Sequence, residues 1–133
     1  MPLDLSSLEK ALESLDRAIA RSKGEPRDEE LRDAVILRFG YSYERSWKML
    51  KRRLELEHPS SAEVDSLSFH DLLREAAERG FIADVEVWMD FRESRNITSH
   101  TYDRKKAEAV HMSALKFSPE ARALLGRLQK RNG

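Results

Sequence analysis

Apolar residues near the start of the chain step by three and four. Leu5, Leu8, Leu12, Leu15 and Ile19 form one stripe, which predicts a helix from about Leu5 to Ser22, with Ser6 and Glu9 as a capping box. Gly24 and Pro26 then stop it. Asp28 is the expected cap of a long second helix reaching about Glu57, with the stripe Leu31, Val35, Phe39, Tyr43, Trp47, Leu50 and Leu54. Gly40 inside it costs about 1 kcal/mol against alanine, a sign of close approach by another backbone or of a small kink. His58 to Ser61 reads as a loop. Ser68 is the cap of a short third helix bearing Phe69, Leu72, Leu73 and Ala76, closed by Gly80.

A fourth helix is predicted from about Ile82 to Asn96. Asp103 caps a fifth, carrying Ala107, Val110, Met112, Ala114 and Leu115, and Ser118-Pro119 is expected to break it and restart it toward Leu128. No stretch alternates with period two, and no repeat of about 20 to 50 residues occurs. The chain therefore predicts an all-α, antiparallel bundle of four to five helices in one domain, residues 1–133.

Composition narrows the chemistry. Lys and Arg number 24 and so do Asp and Glu, so any anion-binding surface must be local. With no cysteine, thiolate catalysis and sulfur-ligated zinc are excluded. The four histidines (His58, His70, His100 and His111) have no metal-ligand spacing, so no metal and no cofactor are expected. The first residues lack a basic and apolar leader and no segment approaches a membrane span, so a cytoplasmic protein without a membrane partner is expected.

The richest segment is Arg95-Asn96-Ile97-Thr98-Ser99-His100-Thr101-Tyr102. Arginine grips phosphate in bidentate fashion and histidine moves protons near neutral pH, a minimal kit for cleaving a phosphodiester without metal. Val85, Trp88, Arg92 and Arg95 share one helix seam. Buried arginine needs a partner. Either Glu44 or Glu93 pairs with these cations, or the seam opens there into a cleft or partner surface. Five positions separate Arg95 from His100, about 140° on an ideal helix. The helix is therefore expected to end near Asn96, with His100 and Tyr102 on the connector; alternatively, Arg95 and His100 act together across two chains. Basic residues at Arg45, Lys48, Lys51, Arg52 and Arg53, and at Arg104, Lys105 and Lys106, offer a positive rim for RNA phosphates. His58, Pro59, Phe69 and His70 carry no assignable chemistry.

The Arg95–Tyr102 string resembles the R-x4-H-x-Y signature of HEPN-superfamily proteins, specifically the nucleotidyltransferase substrate-binding protein family. Ile36 to Lys51 resembles that family's "RFE(F/Y)-T-F-E-x-A-W-K-x-L-K" helix, and Leu73-Arg74-Glu75-Ala76 through Gly80 to Trp88 resembles its "REA…G…W" stretch. Together these cover most of residues 28 to 110. Gly40 departs from the family's usual acidic residue and Ser46 from its frequent alanine.

The resemblance implies a HEPN-like bundle forming a symmetric homodimer, with two R-x4-H motifs facing each other. It implies a nearby-encoded minimal nucleotidyltransferase as partner, RNA as substrate, and a metal-independent endoribonuclease toxin of a toxin–antitoxin pair. Arg95 and His100 are then catalytic, Arg92 and Asn96 bind substrate, and the partner silences the toxin by AMPylating Tyr102. The alternative it implies is a non-catalytic substrate-binding subunit of a two-component nucleotidyltransferase; a domain used only for dimerisation is a third. No nucleotidyl-transfer motif of the G-S-x…D-x-D kind occurs, so the chain is not expected to transfer nucleotides itself.

Overall fold

The computed structural model describes residues 2–97, 100 and 102–133. Among the described residues six α-helices follow one another: α1 (Ser6–Gly24), α2 (Glu29–Glu57), α3 (Ser61–Asp65), α4 (Phe69–Glu78), α5 (Val85–Asn96) and α6 (Arg104–Arg131). No strand occurs among the described residues.

Side chains that accept backbone N–H groups set most helix starts. Asp28 accepts from Glu30 and Leu31, Ser68 from Asp71, Asp84 from Glu86 and Val87, and Asp103 from Lys105 and Lys106. Asp84 explains why α5 begins three residues later than the expected Ile82. The capping box at Ser6 does not form: Ser6 lies inside α1, and its N–H and hydroxyl both donate to Asp4 Oδ1, at 3.0 and 2.6 Å. Gly80 ends the turn after α4 at φ 83°, which favours glycine.

Three long-range sets of contacts fix the directions. Arg45 donates to Ser7 and Ser42 to the Ala11 carbonyl, so α1 and α2 are antiparallel. Gln129 donates to Glu9 and Arg122 to Asp16, so α6 also opposes α1. Tyr43 donates to the Trp88 carbonyl while Arg95 lies over Gly40, so α5 opposes α2. The four long helices thus run up, down, up, down. Helices α2 and α6 touch along their length, and α1 and α5 each pack on both.

Phe117 of α6 is the hub of the core. Its ring lies 5.2 Å from Phe39, 5.3 Å from Phe91, 5.8 Å from Trp88 and 6.0 Å from Tyr43. Such aromatic pairs add about 0.5–1.5 kcal/mol each beyond their buried area. The α1 stripe is buried as expected. At the far end, Asn132 accepts from the Leu3 N–H and from Arg53 and donates to the Leu3 carbonyl, tying both chain ends to α2.

Two expectations for α6 fail. Met112 is 55% exposed rather than part of the core stripe, which runs through Ala107, Val110, Ala114 and Phe117 instead. Pro119 does not break the helix. The residue is exposed, so the carbonyl that it leaves unbonded can face water. Phe117 and Ala121 on either side are fully buried, and Ser118 donates to Asp16 of α1. Packing across the bundle holds the helix together through the proline.

Candidate functional site

Helix α5 presents Trp88 and Phe91 to the core, at 1% and 3% exposure. The expected seam of Val85, Trp88, Arg92 and Arg95 therefore does not continue inward. Arg92 and Arg95 lie at its edge, where α5 meets α2 and α4, because the helical turn after Trp88 places Phe91 inward instead. Their surroundings differ. Arg92 stacks its guanidinium 4.5 Å from the Phe69 ring centre, a cation–π contact brought about by α4. Arg95 Nε lies 3.5 Å from Glu44 Oε1, and each side chain of that pair keeps about a third of its surface in solvent (34% and 33%). Of the two carboxylates that the sequence offered, Glu44 is the one that meets Arg95.

Gly40 explains where the Arg95 side chain runs. A Cβ built at Gly40 would stand 3.6 Å from Arg95 Cδ and Nε, so the glycine floor lets the guanidinium stem cross α2 in ordinary contact. The close approach expected at Gly40 is thus by a side chain, not by another backbone.

Two depressions meet at this pair. The smaller, about 210 Å³, is bounded by Tyr43, Glu44, Trp47, Phe69, Arg92, Arg95 and Asn96. The larger, about 540 Å³, runs along α2 past Ile36, Leu37, Gly40, Tyr41, Glu44, Arg45 and Lys48 to Arg95. Arg92, Arg95 and Asn96, three residues singled out in the sequence, therefore share one pocket. Phe69, to which no chemistry was assigned, forms one wall, and Trp47 and Glu44 complete it. Trp47 meets Phe69 edge-on at 5.6 Å. Burial pushes the Tyr43 phenol well above the ordinary tyrosine range, with Arg92 opposing in part, so it stays protonated and bonded to the Trp88 carbonyl.

Only part of the expected basic rim reaches this site. Arg45 and Lys48 line the larger groove. Lys51 pairs with Asp65 at 3.1 Å, and Arg53, 6% exposed, belongs to the chain-end cluster with Asn132. Arg104 bonds to Glu108.

His100 and Tyr102 stand on the connector from α5 to α6. Helix α5 ends at Asn96, and Ile97, as its cap, donates its N–H to the Ser94 carbonyl. The His100 N–H donates to the Ile97 carbonyl at 3.0 Å, and the Asp103 N–H to the His100 carbonyl at 3.1 Å. His100 is exposed, Tyr102 is 85% exposed, and their rings meet edge-to-face with centres 6.1 Å apart. The remaining residues of the motif, Thr98, Ser99 and Thr101, lie outside the described residues.

A separate depression of about 530 Å³ lies where α1 ends and α2 and α6 begin, lined among others by Ser22, Arg27, Arg32, Arg104, Glu108 and His111. His111 Nε2 and Ser22 Oγ are 3.2 Å apart. Burial lowers the His111 pKa from its ordinary value, and the nearby Arg32 charge lowers it further. No group of His, Cys, Asp and Glu suited to a metal ion occurs among the described residues. Nor is any helix among them long and apolar enough to cross a membrane.

The fold and site together define a class: an all-helical bundle whose third long helix carries an arginine-lined pocket and leads into an exposed histidine–tyrosine connector. Residues 3–130 match the family model "Nucleotidyltransferase substrate binding protein like". The chain belongs to that family. A curated relative from Haemophilus influenzae, "Probable ribonuclease HepT", is 42% identical over 98 residues, 74% of this chain and 67% of that protein. A Haemophilus influenzae structure described as revealing the fold of a substrate binding domain of a nucleotidyltransferase superposes with a TM-score of 0.89. It is 34% identical and is covered over 99% of its length by 95% of this chain. A crystal structure from Thermus thermophilus superposes with a TM-score of 0.75 at 28% identity, over 91% of this chain and 98% of that one.

Proposed function

We propose that this chain is the ribonuclease toxin of a toxin–antitoxin pair, cleaving RNA without a metal and working in the cytoplasm as a symmetric homodimer. The observation that carries the reading is Arg95. Its guanidinium crosses the Gly40 floor, a third exposed, into a pocket with Arg92 and Asn96, five residues before an exposed His100. The 42% identity to a probable ribonuclease supports the same reading.

In the proposed step, His100 takes the proton of a ribose 2′-hydroxyl as its oxygen attacks the adjacent phosphorus. The bond from phosphorus to the 5′ oxygen of the next nucleotide breaks. That oxygen leaves with a proton from the second copy's His100, giving a 2′,3′-cyclic phosphate and a 5′-hydroxyl. Arg95 stabilises the charge that grows on the phosphate oxygens, a contribution commonly worth about 3 kcal/mol or more. Arg92 and Asn96 hold the substrate.

A nearby-encoded minimal nucleotidyltransferase silences the toxin in this reading by AMPylating Tyr102. Its 85% exposure leaves the phenol open to such a partner. Incubation of the two proteins with ATP, followed by peptide mass spectrometry, is expected to find AMP on the peptide containing Tyr102 and none after Tyr102→Phe.

A second reading is favoured by the Haemophilus influenzae structure described as a nucleotidyltransferase substrate binding domain. There the chain is a non-catalytic subunit, and the same arginines face the acceptor substrate of the partner enzyme. AMP transfer to a third molecule by the complex, with Tyr102 unmodified and RNA intact, would favour it.

A further inference from the structure

We infer that the pocket between α2, α4 and α5 is a base-reading subsite, which holds one unstacked guanine of an RNA strand whose phosphate lies on Arg95. The inference deepens the ribonuclease reading and rests on it for the identity of the strand.

Size comes first. At about 210 Å³ the pocket is smaller than the roughly 300–1,000 Å³ of sites that enclose whole ligands, and fits one planar base. The walls come second. Phe69 carries the Arg92 guanidinium 4.5 Å above its ring, and Arg92 is itself exposed, so a base adds a third layer on the cation. Trp47, half-buried, closes the side edge-on to Phe69. Single-stranded nucleic acid is commonly bound by such aromatic and guanidinium planes.

Glu44 selects the base. Its carboxylate only accepts hydrogen bonds. Its two contacts, Arg95 at 3.5 Å and Lys48 at 3.7 Å, are longer than ordinary hydrogen bonds and leave accepting capacity on both oxygens. Guanine alone presents two adjacent donors on its pairing edge, N1–H and the 2-amino group, and these match the two oxygens of a carboxylate. Adenine, cytosine and uracil offer one each. The larger groove shares Glu44 and Arg95 and continues past Arg45 and Lys48, so a strand with its base in the small pocket has a cationic path for its backbone.

Trp47 makes the pocket optically visible, because Trp88, the other tryptophan, is 1% exposed in the core. The test titrates the whole protein with non-cleavable 2′-O-methyl dinucleotides bearing G, A, C or U on the 5′ side, and with GTP, while following tryptophan fluorescence. The guanine dinucleotide is expected to quench with a Kd about tenfold or more below the other three. Glu44→Gln is expected to bring the four within about threefold, and Trp47→Phe to remove the signal, with both variants checked for native helicity. Three results would overturn the inference: no quenching by the guanine dinucleotide, equal affinities, or a guanine preference that survives Glu44→Gln. Tighter binding of GTP than of the dinucleotide would overturn it too, by making the pocket a free-nucleotide site. Because the probes cannot be cleaved, guanine binding without RNA cleavage would sink the ribonuclease reading while leaving the pocket's preference standing.

Discussion

At the scale of the residue, Gly40 and Arg95 decide the site together. The glycine gives α2 a floor on which the arginine lies. A Cβ there meets Arg95 only in ordinary contact. Gly40→Ala is therefore expected to fit, stabilising the protein by up to about 1 kcal/mol in urea unfolding and leaving cleavage intact. A loss of stability would show that the helix needs the glycine itself.

His111 makes a second prediction at this scale. Its pKa is depressed in the fold, first by burial and then by the Arg32 charge, so the unfolded chain takes up its proton first as pH falls. Stability is unaffected well above 6.5 and falls as the pH drops through and below it. His111→Gln is expected to shrink the fall in Tm between about pH 7.5 and 5.5, measured against the wild type, so that the other histidines cancel. An unchanged slope would show that the buried imidazole contributes nothing.

The residues also show what one chain of letters can and cannot disclose. Arg92 and Arg95 were legible as a pair because helical spacing puts them on one seam, whereas Asn96 entered through the family resemblance. Phe69 was not, because its contact with Arg92 spans two helices and depends on how α4 folds back. Glu44 was legible only as one of two possible partners for the arginines, since choosing between them needed the packing of α5 on α2.

At the scale of the element, the caps at Asp28, Ser68 and Asp103 were readable because each places a short polar side chain before an amphipathic run. The five residues of α3 were not, being too few to show a period. Pro119 misled for a definite reason: the local rule against proline in a helix interior is overridden here by the packing of Phe117 and Ala121. Proline there still lacks one helical hydrogen bond. Pro119→Ala is therefore expected to raise stability by about 1–3 kcal/mol in denaturant unfolding. A destabilised variant would mean that the bundle requires the fixed backbone angle of proline at this position.

For the whole molecule, an all-α antiparallel bundle was legible in the chain, while the direction of each helix is fixed by contacts between helices. The bundle places the arginine pocket beside the connector that carries His100 and Tyr102. The proposed cleavage needs a second imidazole, so under that reading activity is expected only from a pair of copies. The most direct measurement is cleavage of a labelled single-stranded RNA, in the presence of a metal chelator, by the wild type, Arg95→Ala and His100→Ala. The wild type is expected to cut, and to stop when the cleaved nucleotide lacks its 2′-hydroxyl. Each variant is expected to keep its helical fold and lose about a hundredfold or more in rate. RNA cut equally well by both variants would contradict the account.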